Sequence, residues 1–224
     1  PLTAMFTPSG DSAILVTLGT QIDLATNRRA HALARWWMAQ AVPGLGDSIP
    51  GLGEAVPGYA TQLAHYDPLV LDYAAALDLL RRGLEECAAL PDLPPRVLEI
   101  PVRYGGEFGP DLPFVAQHCG LSAEEVVARH AAGEYPVYFI GFTPGFPYLG
   151  GLDASIAAPR LETPRARVPA GSVGIAGMQT GIYPLESPGG WRIIGQTEAR
   201  LFDPARNPPA LLEPGDVVRF ERKI

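Results

Sequence analysis

The runs Pro136-Val-Tyr-Phe-Ile-Gly-Phe-Thr-Pro-Gly-Phe-Pro-Tyr-Leu-Gly-Gly151 and Arg165-Ala-Arg-Val-Pro-Ala-Gly-Ser-Val-Gly-Ile-Ala-Gly-Met-Gln-Thr-Gly-Ile-Tyr-Pro184 decide how this chain is read. Between 136 and 195 there are 11 Gly and 8 Pro, a density that in a polar setting marks a linker. Here they alternate with Tyr138, Phe139, Phe142, Phe146, Tyr148, Tyr183 and Trp191, so the turns must wrap a packed aromatic wall. Helical periodicity ends at Pro136. Short β runs replace it at 137–142, 167–176, 191–195, 200–202 and 217–221, which predicts a compact barrel or sandwich. Within 141–151 each Pro fixes φ and each Gly lets the backbone turn or approach a ligand. That makes a rigid binding lip; a tight barrel corner is the alternative.

Upstream the pattern is different. Residues 12–18 read as a short strand. Asp23 caps a helix to about Gln40, with Ala30, Leu33 and Trp37 on one face. Two short strands share 54–67, and Asp72 caps a second helix with Tyr73, Ala76, Leu77, Leu80 and Leu84 inward. Strand, helix, two strands, helix predicts a small split-βαβ or ferredoxin-like layer. A near-repeat, Val42-Pro-Gly-Leu-Gly-Asp-Ser then Ile49-Pro-Gly-Leu-Gly-Glu-Ala, has neither G-x-G-x-x-G nor a following helix. We read it as a mobile surface loop rather than a phosphate cradle. Pro91-Asp-Leu-Pro-Pro95 is the natural linker, followed by a strand over 97–104 and helices over 111–119 and 122–132, the second opened by a Ser122/Glu125 capping box.

Composition excludes several chemistries. The 224 residues carry a net charge of -7, which argues against nucleic acid or an anionic membrane as partner. No apolar run is long enough to span a bilayer and the N-terminus has no signal pattern, so a cytoplasmic protein is expected. The first residue is Pro1, and we expect the natural start to have been trimmed or left out. Two cysteines and four scattered histidines (His31, His65, His118, His130) offer no disulfide framework and no metal site. Of 17 basic residues 16 are Arg, and the single Lys is Lys223. A Schiff base or a P-loop needs an ordered Lys, so anions here must be held by Arg or backbone N–H groups.

Four Arg (Arg160, Arg165, Arg167, Arg192) against Asp153, Glu162 and Glu186 leave residues 136–195 at +1 in an acidic chain. That suits a small carboxylate, carbamate or phosphate, although exposed Arg also simply solvates surfaces. We choose Arg165, Arg167 and Arg192 as anion contacts, Gln179, Tyr183 and Ser172 as orienting groups, and Phe146 as wall. Ser172 is not a nucleophile elbow, because position 170 is Ala where G-x-S-x-G needs Gly. No catalytic residue is assigned.

The stretches 141–152, 163–177, 179–184 and 187–195 resemble the KipI family, also known as the 5-oxoprolinase B subunits or allophanate hydrolase subunit 1. Gly10-Asp-Ser-Ala13, His65-Tyr-Asp-Pro68, residues 100–111, Leu201-Phe-Asp-Pro204 and Leu212-Glu-Pro-Gly-Asp216 extend the match. It thins between about 41 and 53. The resemblance implies an α+β protein: a small ferredoxin-like α/β domain over 1–92 and a cyclophilin-like β-barrel over 96–224. It further implies a homologous C subunit and an A subunit as partners, with ATP shared with or bound by one of them. The joint reaction would open 5-oxo-L-proline to L-glutamate. Two other expectations stay open: a regulatory module that inhibits a histidine kinase, and a carboxyltransferase-like subunit of urea or allophanate metabolism.

Overall fold

The computed structural model describes residues 4–41, 48–87 and 94–223. The chain forms two compact units, 1–94 and 95–224. The core of the linker, 91–93, and the first arm of the Gly/Pro near-repeat, 42–47, lie outside the described residues; much of the second arm joins a strand.

The first unit holds β1 (Met5–Pro8), β2 (Ala13–Thr17), α1 (Leu24–Ala41), β3 (Leu52–Pro57), β4 (Thr61–Tyr66) and α2 (Tyr73–Cys87). Asp23 and Asp72 start the helices as the sequence predicts: their carboxylates accept the Thr26 and Ala75 amides at 2.8 Å each. The sheet runs β1-β2-β4-β3, all neighbours antiparallel, so the β2–α1–β3 crossover is split by β4. A ferredoxin-like unit takes its fourth strand after the second helix. Here that edge is filled from the N-terminal side by β1, a four-residue, mostly exposed strand (Met-Phe-Thr-Pro) too short to show an alternating pattern. Ile14, Val16, Ala64, Tyr66, Leu33, Trp37, Ala76 and Leu80 form the core between sheet and helices. Gly83 lets the helices close up, since a Cβ there would lie 2.5 Å from the Trp36 ring.

The second unit continues with β5 (Val97–Tyr104), α3 (Leu112–Cys119), α4 (Ala123–Ala131), β6 (Glu134–Ile140), β7 (Pro147–Leu149), a 3-10 turn (Ala154–Ile156), β8 (Arg165–Val168), β9 (Ser172–Ala176), β10 (Gln179–Ile182), β11 (Ser187–Gly189), β12 (Arg192–Gln196) and β13 (Val217–Arg222). Seven strands close a barrel in the order β10-β7-β6-β13-β5-β12-β9, with β11 and β8 as a separate ribbon. Six of its seven contacts are antiparallel; β13 alone pairs in parallel, with β5, from Val217↔Val97 to Arg222↔Val102. Gly120 ends α3 in the left-handed region (φ 67), and the Ser122/Glu125 capping box opens α4.

The barrel interior is filled by Ile100, Val102, Val137, Leu149, Val173, Ile175, Ile182, Ile194, Val218 and Phe220. One polar chain crosses it. Thr180 Oγ1 donates to the Gly174 carbonyl at 2.9 Å, so it can only accept from His130 Nε2, also at 2.9 Å. The proton therefore sits on Nε2, and Nδ1 accepts from the Tyr104 hydroxyl at 2.8 Å. Burial drives the imidazole far below its ordinary value of 6.5, to about 3, so it is neutral. Burial likewise pushes the Tyr104 phenol well above its usual range.

The expected strand at 200–202 is a single bridge, Phe202↔Ala210. The Leu201 and Pro209 carbonyls accept the Leu211 and Asp203 amides, and the Arg206 guanidinium donates to the carbonyls of Arg200, Leu201, Pro208 and Pro209. Proline at 204, 208 and 209 removes the donors a ladder would need. Among the described residues no helix is long and apolar enough to cross a membrane, and no group of three His, Cys, Asp or Glu could hold a metal.

Candidate functional site

The residue alternation of β9 and β10 puts Val173, Ile175 and Ile182 in the barrel core and leaves Gly174 and Gly181 on the other side. Aromatic rings lie directly on that glycine floor. A Cβ on Gly181 would stand 3.0 Å from Trp191 Cζ3 and 3.2 Å from Phe146 Cζ; on Gly174 it would stand 3.1 Å from Trp191 Cβ. Phe146 is the hub. Its ring meets Tyr148, Tyr183, Phe142 and Trp191 at centroid distances of 5.1, 5.3, 5.5 and 5.6 Å, every contact edge-on. Each such pair adds about 0.5–1.5 kcal/mol beyond burial, which makes this outer face rigid. Val168 of the β8–β11 ribbon packs into the same buried cluster, with Ala176 and Ile193.

Phe142 is the exposed end of the wall, at 62%. It is also the non-glycine residue held at positive φ (64) among the described residues. Thr143 beside it has a buried hydroxyl without a partner. Gly145 (φ 79) seats the same loop on Leu201 and Phe202, where a Cβ would come within 2.9 Å of Phe202 Cβ. Phe202 in turn lines an open groove of about 660 Å³ at that end of the barrel, with Gly171, Pro184, Leu185, Thr197 and Arg200. A volume of this order accommodates a small molecule.

Phe146 and Tyr183 are brought together in the aromatic wall and are buried. Gln179 begins β10 on the same side of the chain and is half-exposed, while Ser172 is buried at the start of β9. The three chosen arginines go to three different partners. Arg165 donates to Asp111 Oδ1 at 2.8 Å and to the Trp191 carbonyl at 3.4 Å. Arg167 pairs on the surface with Glu186 at 2.6 Å. Arg192 donates to the Pro159 carbonyl at 3.1 Å and lies 3.6 Å from the centre of the Phe114 ring. They form no single anion clamp.

Sequence reasoning missed Asp111, which is read as a helix start. It does stand at that position, but its side chain caps nothing there and accepts the Ile193 amide at 2.6 Å instead. Only the pairing of distant strands could reveal that. Burial pushes the Tyr183 phenol up; the Trp191 backbone and then the charges of Arg160 and Arg165 pull it partly back. Cys87 and Cys119 are free, and burial raises both thiols, which makes neither a poised nucleophile.

Residues 4–212 match the model of the carboxyltransferase domain, subdomains C and D. The chain is 46% identical over 217 residues to the 5-oxoprolinase B subunit of Bacillus subtilis (strain 168), covering 95% of this chain and 90% of that one. It is 48% identical over 216 residues to the protein of the same name in Escherichia coli O157:H7, covering 94% and 92%. The crystal structure of TTHA0988 superposes with a TM-score of 0.81 at 44% identity; the match covers 95% of this chain but only 40% of that longer one. The urea amidolyase of K. lactis shares the fold (TM-score 0.77) at 22% identity, over 98% of this chain and 15% of that one. With a family model over most of its length and relatives near half identity, the chain belongs to the KipI family of 5-oxoprolinase B subunits, built on carboxyltransferase-type domains.

Proposed function

We propose that this chain is the B subunit of a cytoplasmic, ATP-dependent 5-oxoprolinase complex, working with a homologous C subunit and an A subunit. In that reading the second unit is a cyclophilin-like barrel whose aromatic outer face forms one wall of a shared site. The observation that carries the reading is the identity of nearly half, over almost the full length, to proteins that bear this subunit's name. The name of a subunit implies companions, and the barrel face fits a partial role: it offers rings, a glycine floor and arginines, all of them binding groups.

The chemistry sets what the companions must add. A lactam is a poor electrophile. Transfer of the terminal phosphoryl group of ATP to the amide oxygen lets water attack the ring carbon; the ring C–N bond then breaks and phosphate leaves. Two features of the sequence favour a partner chain as the carrier of the triphosphate. Lys223, the sole lysine, sits 3.3 Å from Glu198, and the chain has no P-loop. We assign the nucleotide to a partner chain and the support of the small anion to this one.

Coexpression with the C and A subunits and measurement of 5-oxoproline-dependent ATP hydrolysis tests this. Activity that requires all three chains is expected. Full-rate turnover by the partners without this chain would overturn it.

A further inference from the structure

Sorting the guanidinium groups of the second unit by what they touch isolates one of them. Arg96 pairs with Asp216, Arg103 with Glu198, Arg200 with Asp203, Arg219 with Glu134 and Arg222 with Glu124. Arg129 donates to Ser155, and Arg206 to four carbonyls. Arg165, Arg167 and Arg192 are held by Asp111, Glu186 and the Pro159 carbonyl. Arg160 has no carboxylate or carbonyl partner among the described residues. It lies over an aromatic face instead: the guanidinium carbon is 5.9 Å from the Trp191 ring centre.

The position of that cation matters as much as its freedom. It stands over the Trp191 ring, and its charge, like that of Arg165, acts on the Tyr183 phenol. Of the two, Arg165 is neutralised by Asp111. One positive charge therefore remains uncompensated over a ring that is itself 6% exposed and fixed on glycine. A single planar fork of N–H donors matches a carboxylate, both in shape and in charge. A phosphoryl dianion would leave one of its two charges unmatched by a free guanidinium, because Arg165 is held by Asp111.

We propose that Arg160 is the carboxylate contact of this face, holding a small monocarboxylate on the solvent side of a guanidinium that the Trp191 ring backs. The identity of the carboxylate as 5-oxoproline rests on the function proposed above; the anion contact does not. Arg165, chosen as an anion contact from its place in the sequence, is instead bound to Asp111 and the Trp191 carbonyl.

Tryptophan emission of the full chain reads this directly, with Trp191→Phe subtracting the background of Trp36 and Trp37. Titration with 5-oxoproline should change Trp191 emission, inorganic phosphate should compete poorly, and Arg160→Gln should weaken the response at least tenfold without altering the thermal melt. Arg160→Lys should retain part of it. No carboxylate response in the parent chain, or an equal response in Arg160→Gln, overturns the proposal. In the assembled complex Arg160→Gln should raise KM for 5-oxoproline at least tenfold and leave KM for ATP unchanged. A parent complex that does not turn over 5-oxoproline would remove the proposed function while leaving the anion contact to the fluorescence result.

Discussion

Asp111 receives the Arg165 guanidinium at 2.8 Å on one carboxylate oxygen and the Ile193 amide at 2.6 Å on the other. One side chain thus ties the start of α3, the ribbon strand β8 and the barrel strand β12. Asp111→Ala should lower the unfolding free energy by about 1.5–3 kcal/mol, the range for hydrogen bonds to a charged group. Arg165→Ala should lower it by about 1–2 kcal/mol, less because the guanidinium is 31% exposed. Urea denaturation measures both. The larger effect of Arg165→Ala is expected in stability, not in ligand affinity.

His130 makes stability depend on pH. Its folded value, about 3, lies below the 6.5 of an unfolded chain, so the unfolded state binds more protons between those limits. Stability should be flat above about pH 6.5 and fall as pH drops through the window, by up to about 1.4 kcal/mol per unit. His130→Phe is destabilised at pH 7 because Tyr104 and Thr180 lose a partner. The curve of that variant should nevertheless be flatter between pH 6.5 and 4. Midpoints of urea denaturation at several pH values check the difference.

The glycine floor should not accept a methyl group. In Gly181→Ala the new Cβ meets Trp191 Cζ3 at 3.0 Å and the Pro147 carbonyl at 3.1 Å. Overpacking of this kind costs about 1–3 kcal/mol. A lowered Tm with red-shifted Trp191 emission is the expected outcome, and an unshifted spectrum would contradict the ring placement.

Gln62 is fully buried in β4, and neither end of its amide has a partner among the described residues. Replacing an unsatisfied polar group by an apolar one of like volume removes a desolvation penalty. Gln62→Leu should therefore raise the unfolding free energy by about 1–2 kcal/mol, read as a higher Tm.

The helix starts were legible because a cap is a local event: Asp23, Asp72 and Ser122 each bond an amide three residues on. The density of Gly, Pro and aromatic residues likewise announced a built wall around Phe146. Strands of three or four residues, β1, β7 and β11, were not legible, since their pairing partners rather than their own pattern define them. The arginines show the same limit. Four guanidinium groups between 160 and 192 look alike in sequence, and only the fold shows that Asp111, Glu186 and Pro159 engage three of them.

The pairing of β13 sets a condition on synthesis. Val217–Arg222 is inserted between β5 and β6, segments made well before it. Until residue 222 has left the ribosome, both neighbours present open edges, a template for pairing between nascent chains. This unit must therefore be kept from aggregating until its translation is nearly complete, and a stop codon just before 217 should yield insoluble material rather than a smaller folded barrel.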